Sequence, residues 1–164
     1  MNTQTETSSS YIRDIVVAHP FFKGINPHYL HLLTDSASFL RFGIGQEIFR
    51  ERQDADHFYL VHQGQVALET FVPRLGSKTI QVIGAGEALG WSWLLPPFAW
   101  HFQARAIEPT EVIVLDGAHL LVAAERDNKF GYELMKRIAQ VVIGRVQATR
   151  KQLLAREVES VLKG

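Results

Sequence analysis

Cysteine is absent from this chain of 164 residues, which excludes disulfides, thiolate zinc sites, cysteine-ligated iron–sulfur clusters and cysteine nucleophiles. Basic and acidic residues balance at 17 each, so the overall charge indicates neither nucleic acid nor a membrane surface as a partner. No apolar run approaches the ~20 residues of a transmembrane helix. Residues 1–10 lack the basic and apolar regions of a signal peptide. We therefore expect a cytoplasmic protein without a membrane partner.

Patterns typical of enzymes and metal sites are also missing. A cupin-type metal site needs an H-x-H pair on one strand, and none of the seven histidines forms such a pair. His28 and His31 share a helical spacing, but Asp35 is the one carboxylate near them. No Ser/His/Asp or paired-carboxylate arrangement stands out. We expect no enzyme, no catalytic residue and no bound metal.

The pattern of apolar residues and turn residues predicts a single α+β unit with an antiparallel β-roll or jelly-roll barrel. Residues 1–10 are expected to form a disordered tail, residues 11–127 the barrel with short N-terminal helices, and residues 128–164 a long C-terminal helix. Pro20 ends the first helix, because the residue before a proline is pushed out of the α region. Asn26 and Pro27 form a cap and a first turn for the second helix.

From Phe39 onward the apolar residues recur with a period of two, which predicts strands. The segments with this pattern are Glu47–Arg50, His57–His62, Gln65–Val72, Lys78–Ile83 and Glu111–Asp116. Their spacing of roughly ten residues, with glycine in the turns, is typical of an antiparallel barrel or jelly roll.

The C-terminal helix is predicted from Lys129 to about Leu162, with Asn128 as its cap. Its apolar residues repeat at a coiled-coil spacing along one seam: Met135, Ala139, Val142, Val146, Thr149 and Leu153. Leu134, Ile138 and Val141 lie beside this seam and are expected to face the barrel. A helix of this length reaches ~50 Å, farther than a small barrel can cover. The seam therefore predicts a homodimer; the alternative is that it packs only on its own domain.

The stretch Gly84–Ala106 combines turn-forming glycines, two prolines and five aromatic rings within a short distance. The rings belong to Trp91, Trp93, Phe98, Trp100 and Phe102. Such a cluster suits a pocket that takes a flat or apolar ligand. It suits equally well a cavity filled by the rings themselves.

The order of these elements resembles the cyclic nucleotide-binding domain, and in particular the bacterial catabolite activator and fumarate–nitrate regulators. The resemblance covers residues 19–155, and its most specific segments are GQEIFRERQDADHFYLVHQGQVALE (45–69) and IGAGEALGWSWLL (83–95). It implies a phosphate-binding cassette that opens at Gly86-Glu87 and continues as a one-turn helix over Gly90–Leu95. It also implies that the long helix contacts the ligand, at Gln140, Arg145 and Thr149.

In that family a glutamate accepts from the ribose hydroxyl, and an arginine followed by a serine or threonine holds the cyclic phosphate. The resemblance puts these three positions at Trp91, Trp100 and His101, so all three polar groups are replaced. The candidate pocket residues are Gly86, Glu87, Ala88, Leu89, Gly90, Trp91, Ser92, Trp100, His101 and Phe102. A charge-assisted hydrogen bond contributes ~1.5–3 kcal/mol, so cyclic-nucleotide affinity is expected to fall by several powers of ten.

These features lead to three functional hypotheses. The first is a dimeric, non-enzymatic sensor that binds a small ligand and signals to a separate protein. The second is a ligand-free interaction module whose pocket is filled by aromatic rings. The third is binding of cyclic AMP or cyclic GMP through an unusual cassette. No other cofactor is assigned. Family transcription factors carry a DNA-binding domain after the long helix, whereas only ten residues follow Leu154, so we expect no direct contact with DNA.

Overall fold

The N-terminal part of the chain consists of short helices that pack against the roll. The structure, a computed structural model, describes residues 3–164. Helix α1 spans Thr3–Ala18 and is followed by 3-10 turns at Pro20–Phe22 and Pro27–Tyr29 and by helix α2 at Leu30–Thr34. Two predictions are confirmed here: α1 ends before Pro20, and the Asn26 side chain accepts the His28 N–H at 3.0 Å.

The disordered tail predicted for residues 1–10 is wrong from Thr3 onward, because those residues belong to α1. Val16 is fully buried, and Ile12 and Ile15 pack against the same core. This packing supplies a helix nucleus, and each residue added to a nucleus gains one hydrogen bond at little further cost. Residues 1 and 2 of the predicted tail lie outside the described part of the chain.

Within residues 3–164, eight strands form two four-stranded antiparallel sheets, and the predicted β-roll is confirmed. The strands are β1 (Ser38–Phe42), β2 (Glu47–Phe49), β3 (His57–Gln63), β4 (Gln65–Val72), β5 (Gly76–Gly84), β6 (Ala88–Leu89), β7 (Gln103–Ala106) and β8 (Thr110–Asp116). One sheet has the order β1-β8-β3-β6, and the other has the order β2-β7-β4-β5. Side chains such as Phe58, Leu60, Ile83 and Ile113 are almost fully buried in the core that the sheets share.

Gly64 makes the tight connection between β3 and β4 possible. Its φ is +92°, and a Cβ atom at this position would lie 2.5 Å from the Pro109 carbonyl oxygen. Both observations require glycine, because other residues rarely adopt this backbone conformation and would clash here. The turn leads into β4, which pairs with β7 and carries Leu68, a residue beside the candidate site.

Two helices complete the chain, α3 at Gly117–Arg126 and α4 at Asn128–Lys163. Leu134 and Ile138 are buried and Val141 is partly buried, which confirms that this side of α4 faces the barrel. The predicted cap, Asn128, is wrong by one residue: the Asp127 carboxylate accepts the Lys129 and Phe130 N–H groups at 3.0 and 3.1 Å. Asp127 has the extended backbone that a capping residue needs, whereas Asn128 is already helical.

The distal half of α4 extends beyond the barrel. All residues from 151 to 164 are exposed. Along residues 3–164, no helix combines the length and the apolar character required to cross a membrane.

Candidate functional site

The cassette segment opens with a turn that Glu87 holds in place. Its Oε2 atom accepts the Gly84 N–H at 2.7 Å. Gly86 has a φ of +87° and donates its N–H to the Val61 carbonyl, and Val61 donates in return to the Glu87 carbonyl, both at 2.9 Å. The turn is thereby fixed to β3, and β6 then leads the chain toward the aromatic cluster.

The one-turn helix expected over Gly90–Leu95 does not form, and this prediction is wrong. The chain instead makes a single turn, in which Leu94 donates its N–H to the Trp91 carbonyl at 3.0 Å. Pro96 and Pro97 are the physical reason. A residue that precedes proline avoids the α region, so Leu95 and Pro96 cannot continue a helix. Gly90, with a φ of +64°, also starts outside the helical region.

The three tryptophans take three different positions. Trp93 is almost fully buried in the core, with its ring 5.1 Å from that of Phe58. Trp100 is also buried and stacks on Phe49, with ring centroids 3.8 Å apart and planes 11° apart. Trp91 is only partly buried. Trp100 and Trp91 line the same cavity, but only Trp100 is fixed in its wall by stacking.

A cavity of about 620 Å³ lies between the aromatic segment and α4. We call it the aromatic cavity. It is lined by Phe49, Leu68, Ile80, Gln81, Gly90, Trp91, Ser92, Trp100, His101, Phe102, Arg145, Val146, Thr149, Arg150 and Leu153. The rings thus narrow this space without filling it, and most of the wall is apolar.

The charged side chains that line the aromatic cavity are two arginines, and a histidine lies beside them. Arg145, Arg150 and His101 line it, and no aspartate or glutamate is among the described residues that do so. His101 shares a hydrogen bond with Ser92, Nδ1 to Oγ, at 3.1 Å. Such an environment favours an anionic group on any molecule that enters the cavity.

Arg145 connects α4 to the cassette turn. Its guanidinium donates to the Ala88 carbonyl and lies 3.4 Å from a Glu87 carboxylate oxygen. The side chain is only 13% exposed. Burial lowers the pKa of Arg145 below its ordinary value, although Glu87 opposes this shift. Its Nε atom is buried and has no hydrogen-bond partner within residues 3–164.

The residues singled out in the sequence separate into three groups. Gly90, Trp91, Ser92, Trp100, His101 and Phe102 line the aromatic cavity together with Arg145 and Thr149. Gly86, Glu87, Ala88 and Gln140 line a neighbouring cleft of about 760 Å³, which also reaches Arg145. Leu89 is fully buried in the core.

Sequence reasoning missed seven of the lining residues: Phe49, Leu68, Ile80, Gln81, Val146, Arg150 and Leu153. Val146 and Leu153 carried a signal, because they belong to the apolar seam of α4. That seam was assigned to a dimer, whereas part of it lies along the cavity. The strand residues Leu68 and Ile80 looked like ordinary core positions, since alternation alone does not show which part of an inner face borders a cavity.

Arg105 lies outside the site. It pairs with Glu47 at 3.2 Å and with Glu69 at 3.4 Å, and it donates to the Gly45 carbonyl. It therefore does not replace the missing phosphate arginine in this arrangement. Among the described residues there is also no cluster of three or more histidine or acidic side chains that could hold a metal ion.

The comparisons with known proteins indicate one and the same family. Residues 39–127 match the model of the cyclic nucleotide-binding domain. A solved putative cyclic nucleotide-binding protein from Geobacter metallireducens GS-15 is 27% identical over 85% of this chain and 98% of its own, with a TM-score of 0.71. No curated protein matches the chain.

Two further solved structures share the fold at lower identity. The sensor domain of the transcriptional regulator DNR from Pseudomonas aeruginosa is 17% identical over 90% of this chain and 95% of its own, with a TM-score of 0.67. The regulatory subunit of a cAMP-independent protein kinase A from Trypanosoma brucei is 18% identical over 84% of this chain and 49% of its own, with a TM-score of 0.68.

Proposed function

The chain belongs to the cyclic nucleotide-binding domain family, and we propose that it acts as a non-enzymatic sensor of a small molecule. The ligand binds in the aromatic cavity, and its binding is passed through α4 to a separate protein. One observation carries the proposal: the cassette segment and α4 jointly line a cavity of about 620 Å³. Mostly apolar clefts of ~300–1,000 Å³ are typical small-molecule sites.

Neighbours of the same fold support a regulatory role. One is described as the sensor domain of a transcriptional regulator, and another as the regulatory subunit of a protein kinase that is independent of cyclic AMP. A role in which the ligand is not cyclic AMP is therefore compatible with the fold.

The residues of the cassette fit a cyclic nucleotide poorly. Where the resemblance places a ribose-binding glutamate and a phosphate-binding arginine, the chain has Trp91 and Trp100. Trp100 is buried against Phe49, so it has no room to be displaced without loss of core packing. Each missing charge-assisted hydrogen bond contributes ~1.5–3 kcal/mol, and two of them amount to several powers of ten in affinity.

Helix α4 is suited to report what happens in the cavity. Arg145 and Thr149 line the cavity, while Arg145 also holds the cassette turn through Glu87 and Ala88. A ligand that contacts Arg145 changes how strongly α4 is held to the roll. A ligand shifts a conformational equilibrium only by its differential affinity for the two states, and Arg145 is where that difference arises.

The second part of the proposal is a homodimer formed through α4. Within one chain, Met135, Val146 and Leu153 are 36%, 63% and 60% exposed. An apolar seam left exposed on a long helix is best covered by the same seam of a second copy. Because Val146 and Leu153 also line the cavity, the dimer contact and the ligand site are adjacent.

A second candidate function rests on the stacking of Trp100 on Phe49. If Trp91 also turned inward, the rings would fill the cavity, and the chain would act as a ligand-free interaction module. The partly buried position of Trp91 next to a large cavity favours the sensor.

A melting experiment separates these functions. The chain is heated with each member of a panel of nucleotides, cyclic nucleotides and metabolites that includes aromatic carboxylates. A ligand at 100 times its Kd adds ~2.7 kcal/mol to the free energy of unfolding, so the sensor predicts a clear rise in Tm with at least one of them. A Tm that no compound moves supports the interaction module. Calorimetric binding of cyclic AMP at micromolar affinity or tighter would instead support the unusual cassette.

A further inference from the structure

We infer that the aromatic cavity takes a flat, apolar ligand with a single anionic group, of the class of aromatic carboxylates. The inference rests on the proposed sensor function and deepens it, because it assigns the chemistry of the ligand from the wall of the cavity. Three features of the wall lead to it: the sign of its charges, the buried arginine, and the lack of a carboxylate that could accept from sugar hydroxyls.

The charged side chains of the wall favour an anion. Arg145, Arg150 and His101 face one space, and none of the described lining residues is acidic. Arg150 takes part in no ion pair within residues 3–164. Arg145 is already paired with Glu87 at 3.4 Å, so Arg150 is the lining guanidinium whose charge no carboxylate of the described residues offsets, and it attracts a negative group on a molecule in the cavity.

Arg145 is the more deeply buried of the two arginines. Its terminal nitrogens are directed to Glu87 and Ala88, but its buried Nε has no partner in the described part of the chain. Buried polar groups are nearly always hydrogen-bonded in native proteins, so this N–H gains a partner if an acceptor enters through the cavity that Arg145 lines. A carboxylate oxygen is the acceptor that forms a charge-assisted bond there.

The other side chains of the wall favour a ligand with a flat, apolar ring system. Phe49, Trp91, Trp100 and Phe102 contribute rings, and Leu68 and Leu153 contribute aliphatic surface. The polar groups are few, and two of them, Ser92 and His101, bond to each other. A ribose would bring hydroxyl groups into a wall that has no carboxylate for them, only the neutral side chains of Gln81 and Thr149 beside the Ser92–His101 pair. An aromatic acid brings one anion and no hydroxyl, and so matches the wall better than a nucleotide does.

The test is isothermal titration calorimetry of the full chain with 1-naphthoate, the neutral 1-naphthamide and cyclic AMP. The two naphthalene probes have nearly the same shape and differ in charge. We expect 1-naphthoate to bind at least about tenfold more tightly than 1-naphthamide, since a charge-assisted hydrogen bond corresponds to roughly 10- to 100-fold in affinity. Cyclic AMP is expected to bind more weakly than 1-naphthoate.

Substitutions on α4 show which arginines cause the preference for 1-naphthoate over 1-naphthamide. Arg150→Gln and Arg145→Gln should each weaken 1-naphthoate binding about tenfold or more, and should change 1-naphthamide binding by less than about threefold. Arg156→Gln is the matched control, because Arg156 is exposed on the same helix and does not line the cavity. It should change neither affinity. Arg150 is exposed as well, so its variant should fold normally even if Arg145→Gln does not, and circular dichroism checks this.

The outcomes distinguish this inference from the function on which it rests. Equal binding of 1-naphthoate and 1-naphthamide, or an Arg150→Gln variant with unchanged 1-naphthoate affinity, overturns the anionic ligand and leaves the sensor standing. Tighter binding of cyclic AMP than of 1-naphthoate also overturns it. If neither naphthalene probe binds, the inference is wrong, and the Tm panel then decides the sensor function separately.

Discussion

Trp100 shows what a single residue does to the cassette. It stacks on Phe49 and lies 6.0 Å from Tyr59, and it is only 4% exposed. The side chain at the expected phosphate position has therefore become part of the core. Its neighbour in the site, Trp91, is only partly buried and remains available to a ligand.

This contrast gives a stability prediction. Trp100→Ala should lower the free energy of unfolding by about 3–5 kcal/mol, because it leaves a large hole in a packed wall. Trp91→Ala should cost clearly less than Trp100→Ala, since part of the Trp91 side chain already contacts solvent and it borders a cavity. Urea denaturation of both variants measures the difference. Equal losses would show that Trp91 is packed in the wall as firmly as Trp100.

His19 is expected to make the stability of the fold depend on pH. It is 3% exposed, and its two nitrogens contact the Val61 carbonyl at 3.0 Å and the Phe21 N–H at 3.2 Å. Only the neutral ring satisfies both, because Nε2–H donates while Nδ1 accepts. Burial lowers the pKa of His19 below its ordinary value of 6.5, the nearby His62 lowers it further, and the bond to Val61 opposes this.

The unfolded chain consequently binds more protons at His19 than the folded chain does as the pH falls below the ordinary pKa. Stability contributed by the neutral ring is complete at neutral pH and is lost on acidification below about pH 6.5. Urea midpoints measured between pH 7.5 and 5 should fall more steeply for the native chain than for His19→Gln. The exposed His119→Gln is the control and should follow the native slope. Parallel slopes for all three would contradict this role of His19.

At the level of elements, α4 depends on a cap that lies one residue before the expected one. Asp127 accepts two N–H groups of the first turn. Asp127→Ala should therefore lower the free energy of unfolding by about 0.5–2 kcal/mol. Asn128→Ala is the matched control and should change it by less than about 0.5 kcal/mol, because an exposed helical residue replaced by alanine loses no cap. Thermal melts of both variants show which residue caps α4. A larger loss of stability for Asn128→Ala than for Asp127→Ala would indicate that Asn128 is the cap after all.

The elements also show why local patterns predicted some segments and not others. Pro20, Asn26 and the alternating strands act through near neighbours, so the sequence predicted their boundaries well. The cassette helix was expected from the family resemblance, although Pro96 and Pro97 already argued against it locally. The pairing of Arg145 with Glu87 joins residues 58 positions apart, and no local rule anticipates such a contact.

For the whole molecule, the central question is what covers the seam of α4. If two copies associate through it, Met135→Glu places two carboxylates in the interface and should shift the chain from a dimer toward a monomer of 18.5 kDa. Gln147→Glu adds the same charge on another side of α4, where the side chain is also exposed, and should leave the dimer intact. Sedimentation equilibrium measures both. A native chain that sediments as a monomer, or one unaffected by Met135→Glu, contradicts the predicted dimer.

The fold as a whole could be predicted because hydrophobic periodicity, glycine turns and the family resemblance all indicated the same β-roll. The site could be predicted only in part. Trp91, Trp100 and His101 were found by their place in the cassette, but the wall opposite them depends on how α4 crosses the roll. Arg150 and Leu68 became site residues only through that packing, which the sequence pattern does not specify.

The most direct test of the account is a crystal structure of the chain grown with 1-naphthoate. The account predicts the naphthalene ring in the aromatic cavity, in contact with Trp91 and Trp100, with its carboxylate within hydrogen-bond distance of Arg145 or Arg150. A structure in which the Trp91 side chain occupies the cavity, and 1-naphthoate is bound elsewhere or not at all, would contradict it.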